Sequence, residues 1–110
     1  MESKSSEKEM NRGFLQLIVL ILLEKPSYGY LMVKDLAKFE YHIEESTLYP
    51  LLRRLESKNF IESTWKVDSV KPKKYYVITE EGKQTRRQLM EMFGKQKEIL
   101  QKVLKGDEYV

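Results

Sequence analysis

The sequence predicts a mostly helical α+β domain with the order α-α-α-β-β-α and a long last helix. Three observations predict it. The first 58 residues hold three segments with apolar residues at helical spacing, divided by breakers. From Phe60 the chain turns β-branched and aromatic in two short runs around a polar, proline-containing stretch. From Glu80 the helical spacing returns and persists to Leu104.

Each element has a local reason. Residues 1–9 are polar and are expected to fray. The first helix is predicted from Met10 to Glu24. Phe14–Leu23 is apolar at every position except Gln16, so this helix should be covered on more than one side. Pro26 stops it, and Ser27 is the expected N-cap of a second helix, Tyr28 to Phe39. Leu31, Met32, Leu36 and Phe39 are its inward candidates. Glu40–Glu44 links to a third helix that ends near Lys58. Asn59 can take a left-handed backbone there while Phe60 packs back on Leu55, the Schellman arrangement. "FIESTWKV" (60–67) and "KYYVIT" (74–79) read as strands joined by "DSVKPK" (68–73). Thr79 caps the last helix, Glu80 to Leu104, and Glu80 and Glu81 suit its positive N-terminal end.

Composition narrows the function. The chain has 110 residues, one domain's worth, with a net charge of +3 that permits an anionic partner. It has no cysteine, hence no disulfide and no thiolate metal site. The N-terminus carries no secretory signal pattern, and ten apolar residues fall short of the ~20 that span a bilayer, so a cytoplasmic protein without membrane contact is expected. Catalysis finds no foothold. The one histidine, His42, falls in a predicted loop, where solvation is its ordinary role, and the five glycines are too scattered for a phosphate loop. No cofactor, no metal site and no enzyme activity are predicted.

The third helix is the informative one. At 100° per residue, Leu48, Leu51, Leu52 and Leu55 share about a quarter of the circumference. Ser46, Pro50, Arg53 and Ser57 lie opposite, flanked by Tyr49 and Arg54. By itself this is an ordinary amphipathic surface helix. Three short helices followed by a basic hairpin, however, make a winged helix-turn-helix, in which the third helix enters the DNA major groove. Arg53 can then pair with a guanine edge, and the hydroxyls of Ser46, Thr47 and Tyr49 can reach bases or phosphates. Lys66, Lys71, Lys73 and Lys74 stand against Asp68 in the hairpin, a balance that suits phosphate. Pro50 would cost ~3 kcal/mol in a helix interior. If Ser46 is the N-cap it forfeits one hydrogen bond at most; if the helix starts at Glu44 or Glu45 it bends the second turn. Either way it lies near the N-terminal end, on the outward face.

The motifs "YGY" (28–30), "STLYPLLRRLE" (46–56), "NFI" (59–61) and "KKYYVITEEG" (73–82) together resemble the PadR-like transcriptional regulators, over roughly residues 12–104. Pro50 belongs to that pattern. The resemblance implies a dimeric winged-helix repressor, with Tyr30, Thr47, Tyr49, Pro50 and Arg53 at or near DNA. It further implies a last helix that pairs subunits against the partner's first helix, and the compact subfamily with a single helix after the wing. Two departures stand out. The family's usual glycine is Asn59 here, and its glycine- and arginine-rich wing is "SVKPKK" (69–74), whose lysines lack the planar arginine fork.

The expected organisation is therefore a DNA-binding unit over residues 1–79 and a dimerisation helix over 80–110, forming one compact whole. The DNA-binding set is Tyr30, Ser46, Thr47, Tyr49, Pro50, Arg53, Lys71, Lys73 and Lys74. Leu89, Phe93, Gln96, Leu100 and Val103 form a heptad-like seam for a homodimer on a palindromic operator. Met90, Met92 and Phe93, followed by Gly94, are candidate contacts for a small aromatic or apolar effector that releases DNA. The competing expectation is a winged-helix module that docks protein. Salt separates the two, because counterion release makes DNA binding fall steeply with ionic strength.

Overall fold

A computed structural model of the chain describes the backbone of residues 2–67 and 70–106 and the side chains of residues 12–67 and 70–106. The elements run α1 (Glu2–Leu22), α2 (Gly29–Ala37), α3 (Glu45–Ser57), β1 (Ile61–Lys66), β2 (Lys73–Ile78) and α4 (Glu80–Lys105). This is the expected order. Among the described residues no helix is long and apolar enough to cross a membrane.

One core joins these elements. Leu15, Val19, Leu20 and Leu23 of the α1 segment meet Met32 and Leu36 of α2, the four leucines of α3, and Ile61, Tyr76 and Ile78 of the hairpin. Leu48, Leu51, Leu52 and Leu55 are all buried, as their shared face requires. The α1 helix starts at Glu2, earlier than Met10, because the polar stretch before Met10 holds helix formers and no glycine or proline. Phe14 and Ile21 remain partly exposed, so the chain's own core covers α1 incompletely.

Ser27 departs from its expected role. Tyr28 is the N-cap of α2 and its side chain makes no cap hydrogen bond. Ser27 instead lies beside β2. Its N–H donates to the Tyr76 carbonyl at 3.0 Å, and the Tyr76 N–H donates to the Ser27 carbonyl at 2.7 Å. A residue held on both sides by a strand cannot turn its side chain to a helix end, and Ser27 is buried with its Oγ unpartnered among the described residues. Phe39 also departs. The α2 helix ends at Ala37, the chain turns through Glu40 with φ 61°, and Phe39 is left 77% exposed while Tyr41 and Ile43 pack on the core.

The exit of α3 forms as expected. Asn59 has φ 64°, its N–H donates to Glu56 at 2.9 Å, and the Phe60 N–H donates to Leu55 at 2.9 Å. The hairpin is antiparallel, Ile61 opposite Ile78 through Lys66 opposite Lys73. The first strand is one residue shorter at each end than expected and the second begins and ends one residue earlier, so Lys73 belongs to β2 and not to the turn. Asp68, counted against the wing lysines, and Ser69 lie outside the described residues.

The start of α4 is locked to the end of α3. The Thr79 hydroxyl accepts from the Gly82 N–H at 3.0 Å and donates to the Asn59 carbonyl at 2.7 Å. Asn59 Nδ2 donates to Glu81 at 2.5 Å, and Arg86 pairs with Glu24 at 2.6 Å. The arginine's hydrogen bond and charge hold the Glu24 carboxyl below the usual carboxylate range. Beyond Phe93 the helix leaves its domain, and every residue from Gly94 to Gly106 is exposed.

Candidate nucleic-acid interface

The α3 helix carries its polar face outward. Ser46, Pro50, Arg53 and Ser57 are exposed, opposite the buried leucines. The helix begins at Glu45, with Glu44 as an N-cap that makes no side-chain bond. Ser46 is therefore not the cap, and its hydroxyl stands on the outward face. Pro50 lies inside the helix, in its second turn, where the missing N–H leaves the Ser46 carbonyl without its helical donor. That vacancy faces solvent, where water can satisfy it, which limits the cost.

Thr47 and Tyr49 are half-buried. The Tyr49 ring packs over the start of α2, where a Cβ on Gly29 would lie 2.5 Å from the Tyr49 hydroxyl. Gly29 is what lets this ring sit there. The hydroxyl donates to Glu45 at 3.2 Å, and burial, then that carboxylate, raises its pKa. Tyr49 thus packs between α2 and α3 and also borders the outward face. Tyr30 on α2 is 54% exposed, with the Lys34 ammonium 5.5 Å from its ring centroid.

The wing lysines divide by strand alternation. Lys74 shares the inner face with Tyr76 and pairs with Glu56 of α3 at 3.6 Å. Ser63, opposite Tyr76, donates to the same Glu56 side chain. Lys73 and Lys66 share the outer face with Tyr75. Lys71 is exposed in the connection. Of the expected DNA-binding set, Lys74 is engaged by a carboxylate, and Thr47 and Tyr49 are half-buried. The sequence reading missed Glu56 as the partner of Lys74. The adjacency of Lys73 and Lys74 was the available signal, since neighbours on a strand face opposite sides.

On α4, Leu89 is half-buried and packs against the core, and Phe93 meets Phe14 edge-on at 5.9 Å. Met90 and Met92 are exposed, as are Gln96, Leu100 and Val103. A Cβ on Gly94 would meet nothing within 4 Å.

A buried-leucine helix with an exposed polar face, backed by two helices and flanked by a lysine-bearing hairpin, defines a winged-helix DNA-binding protein. The chain belongs to the transcriptional regulator PadR-like family, whose pattern its residues 18–88 match. A PadR family transcriptional regulator from Eggerthella lenta is 40% identical to it, with a TM-score of 0.84 over 93% of this chain and 91% of that one. A transcriptional regulator from Clostridium thermocellum is 36% identical, with a TM-score of 0.79 over 86% of this chain and 96% of that one. An uncharacterised protein of Lysinibacillus sphaericus is 35% identical over 100 residues, covering 86% of this chain and 92% of that one. The protein is a DNA-binding transcriptional regulator of the PadR-like family.

Proposed function

We propose that the protein is a cytoplasmic, homodimeric repressor that reads a palindromic operator through α3. The observation that carries this reading is the outward face of α3, polar and exposed opposite a fully buried leucine face. Ser46, Pro50 and Arg53 form the surface that enters the major groove, with Thr47, Tyr49 and Tyr30 at its margin and Lys71 and Lys73 on phosphate. Residues 1–79 bind DNA, and 80–110 join two copies through Leu89, Phe93, Gln96, Leu100 and Val103. A two-fold pair of α3 helices matches a two-fold operator.

The test is an operator recovered by sequencing genomic fragments that the protein retains, then titrated in gel shift. Arg53→Ala should lower affinity for that operator by about 1–3 kcal/mol with unchanged melting, because Arg53 points away from the leucines. Unchanged affinity would refute the role of α3. Transcription from a promoter bearing the operator should fall as protein is added; a rise would refute repression.

The wing lysines should differ. Lys73→Ala should reduce the slope of log K against log salt by about 1, because a phosphate contact is lost. Lys74→Ala should change it much less, since Glu56 already engages that ammonium. Equal effects would mean that the Lys74–Glu56 pair opens on DNA.

A second feature of α4 favours release by an effector. Phe93 sits edge-on to Phe14, Gly94 adds open space, and Met90 and Met92 are exposed beside them. Such soft, aromatic groups suit a flat apolar ligand, which acts only if it binds the DNA-competent and incompetent dimers unequally. Calorimetric titration with planar aromatic cations and phenolic acids should give binding that Phe93→Ala abolishes. No binding by either class, or equal binding by the variant, removes the effector site and leaves DNA binding untouched.

A further inference from the structure

Four side chains on the outer face of the wing form a row of contacts: Lys66 on Tyr75, Tyr75 on Tyr28 and Tyr28 on Lys73. The Lys66 ammonium lies 4.8 Å from the Tyr75 ring centroid, and the Lys73 ammonium 4.6 Å from that of Tyr28. The two rings meet edge-on at 5.2 Å. Strand geometry builds this row. Lys66 and Lys73 are directly opposite across the hairpin, and Tyr75 follows Lys73 on the same face. Ser27, bonded on both sides to Tyr76, delivers the next residue, Tyr28, to the outer face beside Tyr75.

Lys74 also lies near a ring, 5.5 Å from the Tyr76 centroid, but it is paired in addition with the Glu56 carboxylate. A carboxylate neutralises the charge it orients. A tyrosine ring attracts the ammonium by its quadrupole and leaves the net charge whole. Among the described residues neither Lys66 nor Lys73 has an ion-pair partner. Lysine's four-carbon stem loses considerable rotamer freedom when it is ordered on a phosphate. A ring that already holds the ammonium reduces that loss, leaving N–H groups turned outward for an anion.

We infer that Tyr28 and Tyr75 are positioning residues for DNA binding: their rings hold Lys73 and Lys66 ready to meet backbone phosphates. The inference rests on the reading that the wing meets phosphate. It adds Tyr28, Tyr75 and Lys66 to the residues on which binding depends, and it explains how a wing of lysines serves without the fixed arginine fork.

The probe is a random-sequence DNA duplex, since phosphate contacts do not need an operator, with binding followed by fluorescence anisotropy over a range of salt. Tyr28→Leu should weaken binding about two- to five-fold, the size of an exposed cation–π contact. Tyr28→Phe should bind like wild type, because the ring remains and only a 3.5 Å contact between Lys73 and the hydroxyl is lost. In the Lys73→Ala background, Tyr28→Leu should have no further effect. Tyr75→Leu and Lys66→Ala should behave as the same kind of coupled pair. Additive effects of Tyr28→Leu and Lys73→Ala would overturn the inference while leaving the wing on phosphate, and so would Tyr28→Phe as damaging as Tyr28→Leu. If Lys73→Ala changes neither affinity nor salt slope, the wing does not touch phosphate and the inference falls with that reading. Melting of each variant, followed by circular dichroism, separates lost binding from lost folding.

Discussion

Gly82→Ala should be strongly destabilising, although alanine is ordinarily the better helix former. A Cβ at position 82 would overlap the Phe60 carbonyl oxygen and lie 2.7 Å from Ile78 Cγ1. Its main obstacle is backbone, so no rotamer change relieves it. The first turn of α4 would have to move away from the end of α3. That movement strains the Thr79 cap and the Asn59–Glu81 hydrogen bond, both set at the same joint. Overpacking costs about 1–3 kcal/mol and a lost cap about 1, against a helix-propensity gain near 1. A net loss of about 1–3 kcal/mol should lower the melting temperature by roughly 5–20 °C. Gly94→Ala should have the opposite sign. Its Cβ meets open space in mid-helix, and a gain of about 0.5–1 kcal/mol is expected. Thermal melting of both variants checks the pair, and equal melting temperatures would mean that the α3–α4 joint is not close-packed.

Leu100→Glu should convert the protein to a monomer. The residue is 58% exposed on its own chain and lies in the stretch of α4 that its own domain does not cover. Ile99, Val103 and Leu104 are exposed with it, and Phe14 and Ile21 of α1 are partly so. The uncovered stretch of helix, 94–105, is short enough to be marginal in water by itself. The radius of gyration is 16.7 Å, against about 13 Å for a compact chain of this length. Pairing two copies would cover these side chains, and a charge at the seam would oppose that pairing. Light scattering at micromolar concentration should read a dimer for wild type and a monomer for the variant. Operator affinity should fall by two orders of magnitude or more, since the second half-site is no longer tethered to the first. A dimer that survives Leu100→Glu would place the subunit contact elsewhere.

Some features were legible because their causes are local. Asn59 and Phe60 announce the end of α3 because a left-handed position followed by an apolar residue is a short-range pattern. The leucine face of α3 reads correctly because four large apolar side chains at helical spacing have one way to be buried together. Thr79 caps α4 as its place before two glutamates indicates. Other features needed partners from distant parts of the chain. Ser27 looks like a cap until Tyr76, far along the sequence, takes both its backbone groups. Phe39 looks inward until the left-handed turn at Glu40 swings the chain and lets Tyr41 and Ile43 take the core positions. Glu56 gives no hint that it will engage Lys74.

From the sequence alone came the order of elements, the inward leucines, the outward face around Arg53 and the family, all carried by patterns within a few residues of one another. The tertiary structure decided which hydroxyls stand free, which lysines keep their charge available and where α4 parts from its own core. Those are questions of which groups meet across long loops, and strand alternation and burial settle them only when the elements are packed. Lys73 and Lys74 are neighbours of identical chemistry. Each lies over a tyrosine ring, but only Lys74 also meets a carboxylate, because β2 turns adjacent side chains to opposite faces.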